Sequence, residues 1–517
     1  MLAMENKIIT RIEHWAKVAP DRVVYDYLGR ENTYGELKQY SDALAAKIKS
    51  MNLAKDAPVI VYGGQTFEMV ATFMGLIKSG HAYIPVDAHS PNERLAIIKK
   101  IAEPAVCIAV DELPDLGWDI PVISQKELHE IFTSEITTEP VTIEEAVVGD
   151  QNYYILFTSG TTGVPKGVQI SYNNLMSFLD WCQGDLGLDF ENPIEFVSQP
   201  PYSFDISVMY LYSSLLSGGK IDVLPPETTA NFKELFKALK SYDIQAWMST
   251  PSFVEICLLS PEFNEETSPE LKNIYLCGEE LTHKTAARLK ERFPNSRIFD
   301  IYGPTEATVA VTGLEITDEA LNQYDRLPIG WPKPDTPVVI VDEDNNVLPA
   351  GEDGELVIMG PSLSKGYINN PEKTAAAFIE IDGKPAYKTG DLAQIDPETG
   401  ILIYKGRIDF QVKLHGFRIE LEDVDHHLDR VSLVEQAITV PRYGADHKVQ
   451  QLIAYIVPKD QDFASKAELT KAIKAELSEI MMPYMMPNRF VYVESLPLTA
   501  NGKLDRKTLI SEVNSND

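Results

Sequence analysis

Leu37, Tyr40, Leu44 and Ile48 recur at i, i+3, i+7 and i+11, the single apolar stripe of a helix that begins just after Thr33. An apolar strand over 59–62 follows, then a helical stretch from about Gln65 to Lys78 closed by Gly80, then a second strand over 82–86. Ser90-Pro-Asn-Glu93 has the form of a capping box with proline at the first helical position, which predicts another helix leading to a strand over 105–110. Strands that alternate with helices of this length mark βαβ units, so a mostly parallel sheet covered on both faces is expected. The alternation resumes over 207–300 and predicts a second such layer. Between Val338 and Tyr404 the segments become short and β-like, separated by Gly, Pro, Asn and Asp, as in a small antiparallel or barrel-like lobe. Past Arg407-Ile-Asp409 the pattern changes again, with a strand over 452–457 and an amphipathic helix carrying Leu469, Ile473, Leu477 and Ile480. The expected fold is α/β: a large body of doubly wound sheets with a small β-barrel-like lobe over 1–408, and a small α+β domain over 409–517.

Composition narrows the function. The 517 residues suffice for several domains, and 44% hydrophobic with 24% charged is ordinary for a folded chain. A formal charge of −31 repels phosphate backbones and anionic lipid surfaces, so neither nucleic acid nor membrane is an expected partner. No apolar run approaches the ~18 residues of a spanning helix, and the first residues lack the apolar core of a signal peptide. Four scattered cysteines, Cys107, Cys182, Cys257 and Cys277, form no metal-ligand spacing and point to reduced thiols in a cytoplasm.

The most informative string is Tyr153-Tyr-Ile-Leu-Phe-Thr158-Ser159-Gly160-Thr161-Thr162-Gly-Val-Pro-Lys166-Gly-Val. A strand enters, a Gly/Ser/Thr loop turns and a second strand leaves. The glycines allow close backbone approach, four hydroxyls add donors, and Lys166 supplies a positive charge, which together suit a polyphosphate. The spacing is not that of a Walker loop, and a strand follows where a helix would be needed, so a P-loop NTPase is disfavoured.

This string resembles the phosphate-binding loop of the adenylate-forming superfamily. Four more strings match that family in order: Tyr302-Gly303-Pro304-Thr305-Glu306-Ala-Thr308, Tyr387-Lys-Thr-Gly-Asp391-Leu, Gly406-Arg407-Ile-Asp409 through Glu420, and Leu496-Pro-Leu-Thr-Ala-Asn-Gly-Lys503-Leu-Asp-Arg506. The resemblance implies activation of a carboxylate by ATP with Mg²⁺. It makes Lys503 the catalytic lysine, which bridges the carboxylate and the α-phosphate. It assigns Asp391 to the ribose hydroxyls, and Arg407 with the neighbouring Tyr404, Lys405 and Gly406 to further nucleotide contacts. The loop Asp300-Ile301-Tyr302-Gly303-Pro304-Thr305 lies against base and phosphates, and Glu306 ligates the metal. Asp409 becomes the hinge of a mobile C-terminal domain that withdraws Lys503 and presents the Gly416 region for the second half-reaction.

In Ser203-Phe-Asp205-Ile-Ser207 the aspartate matches the position that pairs a substrate ammonium in amino-acid-activating members. This favours an amino acid over a fatty acid; the alternative is that Asp205 caps a helix starting near Ser207. Cys277 and Val309 match the side-chain pocket, where they leave room for a small group, although a cysteine of this kind is also ordinary core. Nothing on the chain resembles a pantetheine attachment motif, so the acceptor is expected in trans. Within the superfamily the chain most resembles members that activate D-alanine and pass it to the phosphopantetheine thiol of a separate D-alanyl carrier protein, for D-alanylation of lipoteichoic acid. An acidic carrier would then need a local basic patch to dock. Activation of another small amino acid, an acyl-CoA ligase and a non-catalytic nucleotide sensor remain the alternatives.

Overall fold

In the computed structural model, the described residues are 5–134, 141–160, 164–459, 463, 465–498 and 504–515. They divide into two compact units, residues 1–88, 101–157 and 167–406 in the first and 89–100, 158–166 and 407–517 in the second.

The first unit carries the two parallel layers. One is a six-stranded sheet ordered 122–123, 106–109, 59–62, 83–86, 152–158, 166–171, in which the strands Val59–Tyr62, Tyr83–Val86 and Val106–Ala109 run parallel and are buried along their whole length. The other has nine strands, and its interior run of six, from Arg297–Tyr302 to Val23–Tyr27, is parallel. Uninterrupted apolar strands of this kind are what two covered faces require. The helix Tyr34–Ser50 starts at a capping box made by Thr33 and Glu36. The next, Phe67–Lys78, is buried along nearly its whole length, and its final Lys78 pairs inside with Glu13 at 2.6 Å and Asp42 at 2.5 Å. Antiparallel strands Val338–Val341, Gly354–Met359, Lys384–Ile395 and Phe378–Ile381 build the third layer of this unit.

The helix Ser207–Ser217, which follows Asp205, ends on Gly218 in the left-handed conformation at φ +74°. A side chain at 218 would meet the Trp15 ring at 2.4 Å, so glycine both closes this helix and admits the indole.

In the second unit the antiparallel pair Val434–Tyr443 and Val449–Pro458 packs with helices Leu421–Asp429 and Lys466–Ser478 over a separate core that includes Met481 and Met485. A hairpin, Gln411–Leu414 to Phe417–Glu420, turns through His415 and Gly416, both with positive φ, the backbone that a two-residue hairpin loop demands. Beside its C-terminal segment, residues 407–517, the unit takes in two distant segments, 89–100 and 158–166. Arg430 pairs with Glu93 at 2.8 Å, and Ser159 donates to the Arg418 carbonyl at 2.9 Å, which ties both segments to the C-terminal residues. Such contacts join residues too far apart in the chain for any local pattern to announce.

Candidate functional site

Strand Arg297–Tyr302 delivers the first group of functional residues. Its end needs glycine, because a Cβ on Gly303 would come within 2.5 Å of the Ala310 Cα. After Pro304 a single 3-10 turn spans Thr305–Ala307, and Thr308 and Val309 then both take left-handed backbone, φ +61° and +69°. For a β-branched residue this is costly, on the order of 1–3 kcal/mol, and it persists only where the surroundings enforce it. The enforcement is visible. Thr308 Oγ1 donates to the Ser362 carbonyl at 2.7 Å, Ser364 N–H donates to the Glu306 carbonyl at 2.8 Å, and Val311 N–H donates to the Tyr302 carbonyl at 2.8 Å.

Glu306 is fully buried, and its Oε1 accepts from the Tyr367 hydroxyl at 2.8 Å. One residue earlier, Thr305 Oγ1 donates to Asp205 Oδ2 at 2.6 Å. The helix Ser207–Ser217 has Ile206 at its N-cap position, with no side-chain cap there. The half-buried Asp205 carboxylate is fixed by a hydroxyl from another strand end. Its charge also helps, after burial and Tyr83, to raise the Tyr154 hydroxyl well above the usual tyrosine range. Cys277 and Val309 are both buried in the same apolar core. The Cys277 thiol is unbridged, and its backbone N–H continues the sheet onto the Ser249 carbonyl at 3.0 Å.

Asp391 lies buried on strand Lys384–Ile395 and accepts a short hydrogen bond from the Tyr302 hydroxyl. Tyr302, expected near a base, thus has its hydroxyl on the carboxylate matched to ribose, while its ring lies 6.4 Å from that of Tyr404. Lys405 directs its ammonium to Asp353 at 2.6 Å, and Gly406 turns with φ +125° in open space.

The second unit holds the other group. Gly160 approaches backbone so closely that a Cβ would lie 2.1 Å from the Val164 carbonyl oxygen. The Thr158 hydroxyl reaches the Lys166 carbonyl at 3.5 Å. Lys166 and Arg418 both offset the rise that burial imposes on the Glu420 carboxyl. Arg407 grips Asp409 with Nε at 2.8 Å and Nη2 at 2.5 Å, and Gln411 N–H adds a third bond at 3.1 Å. Burial alone would lift Asp409, but the guanidinium outweighs it and holds the carboxyl below its ordinary value. Thr161, Thr162 and Lys503 lie outside the described residues.

Among the described residues no cluster of three or more His, Cys, Asp or Glu could hold a metal by itself. A single buried, hydroxyl-braced carboxylate fits a magnesium ion held mainly by substrate phosphates, because that ion keeps few protein ligands. The sequence offered no sign of Tyr367 as Glu306's partner or of Arg418 beside the loop; each emerges only when distant segments are folded together. Among the described residues no helix is long and apolar enough to cross a membrane.

The close-packed Gly160 in one unit, and the buried Glu306 and Asp391 each holding a tyrosine hydroxyl in the other, fall in the strings that resemble adenylate-forming enzymes. Residues 12–368 match the AMP-binding enzyme family and 423–503 its C-terminal domain; the chain belongs to that family and is an ATP-dependent ligase that forms adenylates. It is 56% identical over 513 residues to the D-alanine--D-alanyl carrier protein ligase of Lactiplantibacillus plantarum, covering 99% of this chain and all of that one. Its identity to the ligase of the same name from Streptococcus agalactiae is 51% over 514 residues, with 99% and 100% covered. An artificially fused adenylation–carrier di-domain from Klebsiella oxytoca shares the fold, with TM-score 0.80 at 24% identity over 95% of this chain and 94% of that one.

Proposed function

We propose that this chain activates D-alanine as an aminoacyl-adenylate and transfers it to the phosphopantetheine thiol of a separate carrier protein, the donor step for D-alanylation of lipoteichoic acid. The observation that carries the amino-acid reading is Asp205, a carboxylate oriented by Thr305 next in sequence to the buried Glu306. A substrate ammonium compensates the desolvation of such a carboxylate, whereas a plain fatty acid would leave it uncompensated. Full-length identity above 50% to ligases named for D-alanine supports the choice of that amino acid.

In the first half-reaction Asp205 holds the ammonium, and Cys277 with Val309 leaves space for a methyl-sized side chain. Asp391, braced by Tyr302, accepts the ribose hydroxyls. Thr158, Ser159, Thr161, Thr162 and Lys166 bind phosphate oxygens, and Lys503 neutralises the charge that develops as the carboxylate attacks the α-phosphorus and pyrophosphate leaves. Glu306 would hold a magnesium ion of the bound nucleotide, which would supply positive charge to its phosphates. In the second half-reaction the carrier thiolate attacks the acyl carbon and AMP leaves. Movement of the C-terminal domain about Asp409 exchanges one set of groups for the other.

The test is amino-acid-dependent ATP/pyrophosphate exchange with D-alanine, L-alanine, glycine, larger amino acids and acetate. Strongest exchange with D-alanine is expected. Preference for another acid overturns the substrate, and absence of exchange with all of them overturns the enzymatic reading in favour of a nucleotide sensor.

A further inference from the structure

A buried carboxylate that ligates a metal needs its orientation fixed as well as its charge balanced, since only one direction of its second oxygen is useful. Glu306 is wholly enclosed, and the loop from Gly360 to Tyr367 grips it and its neighbour three times: the Ser364 N–H on the Glu306 carbonyl at 2.8 Å, the Thr308 hydroxyl on the Ser362 carbonyl at 2.7 Å, and the Tyr367 hydroxyl on Glu306 Oε1 at 2.8 Å. Only the last bears on the carboxylate itself.

Tyr367 is itself constrained. It is 4% exposed, its ring meets Phe378 edge-on with centroids 5.8 Å apart, its N–H donates to Thr374 Oγ1 at 2.9 Å, and its backbone pairs with Val168 on the strand that leaves the phosphate loop. The hydroxyl is therefore presented from a fixed ring, and by occupying Oε1 it sets the plane of the carboxylate and the direction of Oε2.

We propose that Tyr367 is a positioning residue for Glu306, its hydroxyl holding the carboxylate in the orientation that takes the magnesium of the bound nucleotide. The inference rests on the reading of Glu306 as the metal ligand. It predicts an effect on metal affinity rather than on amino-acid binding, because the Tyr367 hydroxyl bonds to the Glu306 carboxylate.

Tyr367→Phe keeps the ring and its packing on Phe378 and removes the hydroxyl alone. Two readouts separate positioning from simple support: binding of Mn²⁺ in the presence of α,β-methylene-ATP, followed by the electron paramagnetic resonance signal of free Mn²⁺, and the Mg²⁺ dependence of pyrophosphate exchange. Loss of such an outer partner typically weakens metal affinity about 10- to 100-fold. Tyr367→Phe is accordingly expected to lower Mn²⁺ affinity at least about tenfold and to raise the half-saturating Mg²⁺ similarly, with most of the rate recovered at high Mg²⁺ and the KM for the amino acid unchanged. Tyr367→His, which retains a ring donor, should fall between the variant and the parent.

A uniform loss of rate at every Mg²⁺ concentration, with Mn²⁺ binding unaltered, would overturn the proposal in favour of a packing role. Glu306→Gln separates the two levels. If it lowers Mn²⁺ binding while Tyr367→Phe does not, the positioning role fails and the metal-ligand reading stands. If Glu306→Gln leaves Mn²⁺ binding intact, the metal-ligand reading itself is wrong and the inference falls with it.

Discussion

The Thr305 hydroxyl and the Asp205 carboxylate, 100 residues apart in the chain, are joined by a 2.6 Å hydrogen bond. The bond ties the carboxylate we assign to the substrate ammonium to the turn that bears Glu306. A hydrogen bond to a charged group contributes about 1.5–3 kcal/mol, equivalent to roughly 10- to 150-fold in binding. Asp205→Asn is therefore expected to raise the KM for the amino acid within about that range and to leave the KM for ATP within about twofold. Thr305→Val should produce a smaller shift in the same direction. Steady-state kinetics with each substrate varied in turn checks both, and an unchanged amino-acid KM in Asp205→Asn would remove Asp205 from the ammonium site.

Asp391 offers two acceptor oxygens, one already engaged by Tyr302. Asp391→Asn should raise the KM for ATP about tenfold, the value of one charge-assisted hydrogen bond at the lower end of its range. A sharper check is 2′-deoxy-ATP, which should be a poorer substrate than ATP for the parent and nearly equal to it for the variant.

For Lys503 the expected result is a split between half-reactions. Lys503→Ala should slow adenylate formation by about 10²-fold or more, as removal of one preorganised donor does. Transfer of D-alanine from pre-made adenylate to the carrier should be retained. Comparable losses in rapid-quench measurements of both steps would contradict the division of labour.

Asp222 yields a prediction about pH. It lies wholly buried on strand Ile221–Val223, in register with Asp26 on the neighbouring strand, and Lys220 approaches it at 3.1 Å while also reaching Glu195 at 3.3 Å. Burial pushes its carboxyl up to about 7, against the pull of Lys220 and with added repulsion from Glu195 and Asp26. Because the folded value exceeds the unfolded one, this group's stabilisation is complete below about pH 4 and is lost as pH rises through about 7, by no more than about 4 kcal/mol. Asp222→Asn should remove that component, giving a variant whose thermal midpoint declines less than the parent's between pH 4 and pH 7.5. Parallel declines would show that Asp222 does not titrate in that window.

Local pattern made the layers readable, and long-range pairing did not. The stripe from Leu37 to Ile48 and its Thr33/Glu36 cap lie within one helix, so residue spacing alone locates it. Lys78 was invisible as a core residue because its two acidic partners come from other helices, at Glu13 and Asp42. At Asp205 the residue type suited both an ammonium partner and a helix cap, and the structure places Ile206 at the cap position. Motif strings supplied Glu306, Asp391 and Tyr302, but neither Tyr367 nor the bond from Tyr302 to Asp391, since partners 61 or 89 residues apart leave no local trace.

Val309 adds a constraint on any attempt to broaden the range of acids accepted. It is a β-branched residue at φ +69°, directly after another left-handed residue, in the segment we assign to the side-chain pocket. Glycine or alanine there would appear to do no more than enlarge the space. Glycine would in fact also relieve the torsional cost that is now balanced by the Thr308–Ser362 bond. Pocket volume and backbone handedness are thus selected by one codon, and redesign toward bulkier substrates has to treat residues 308–311 and their supporting loop as a single object.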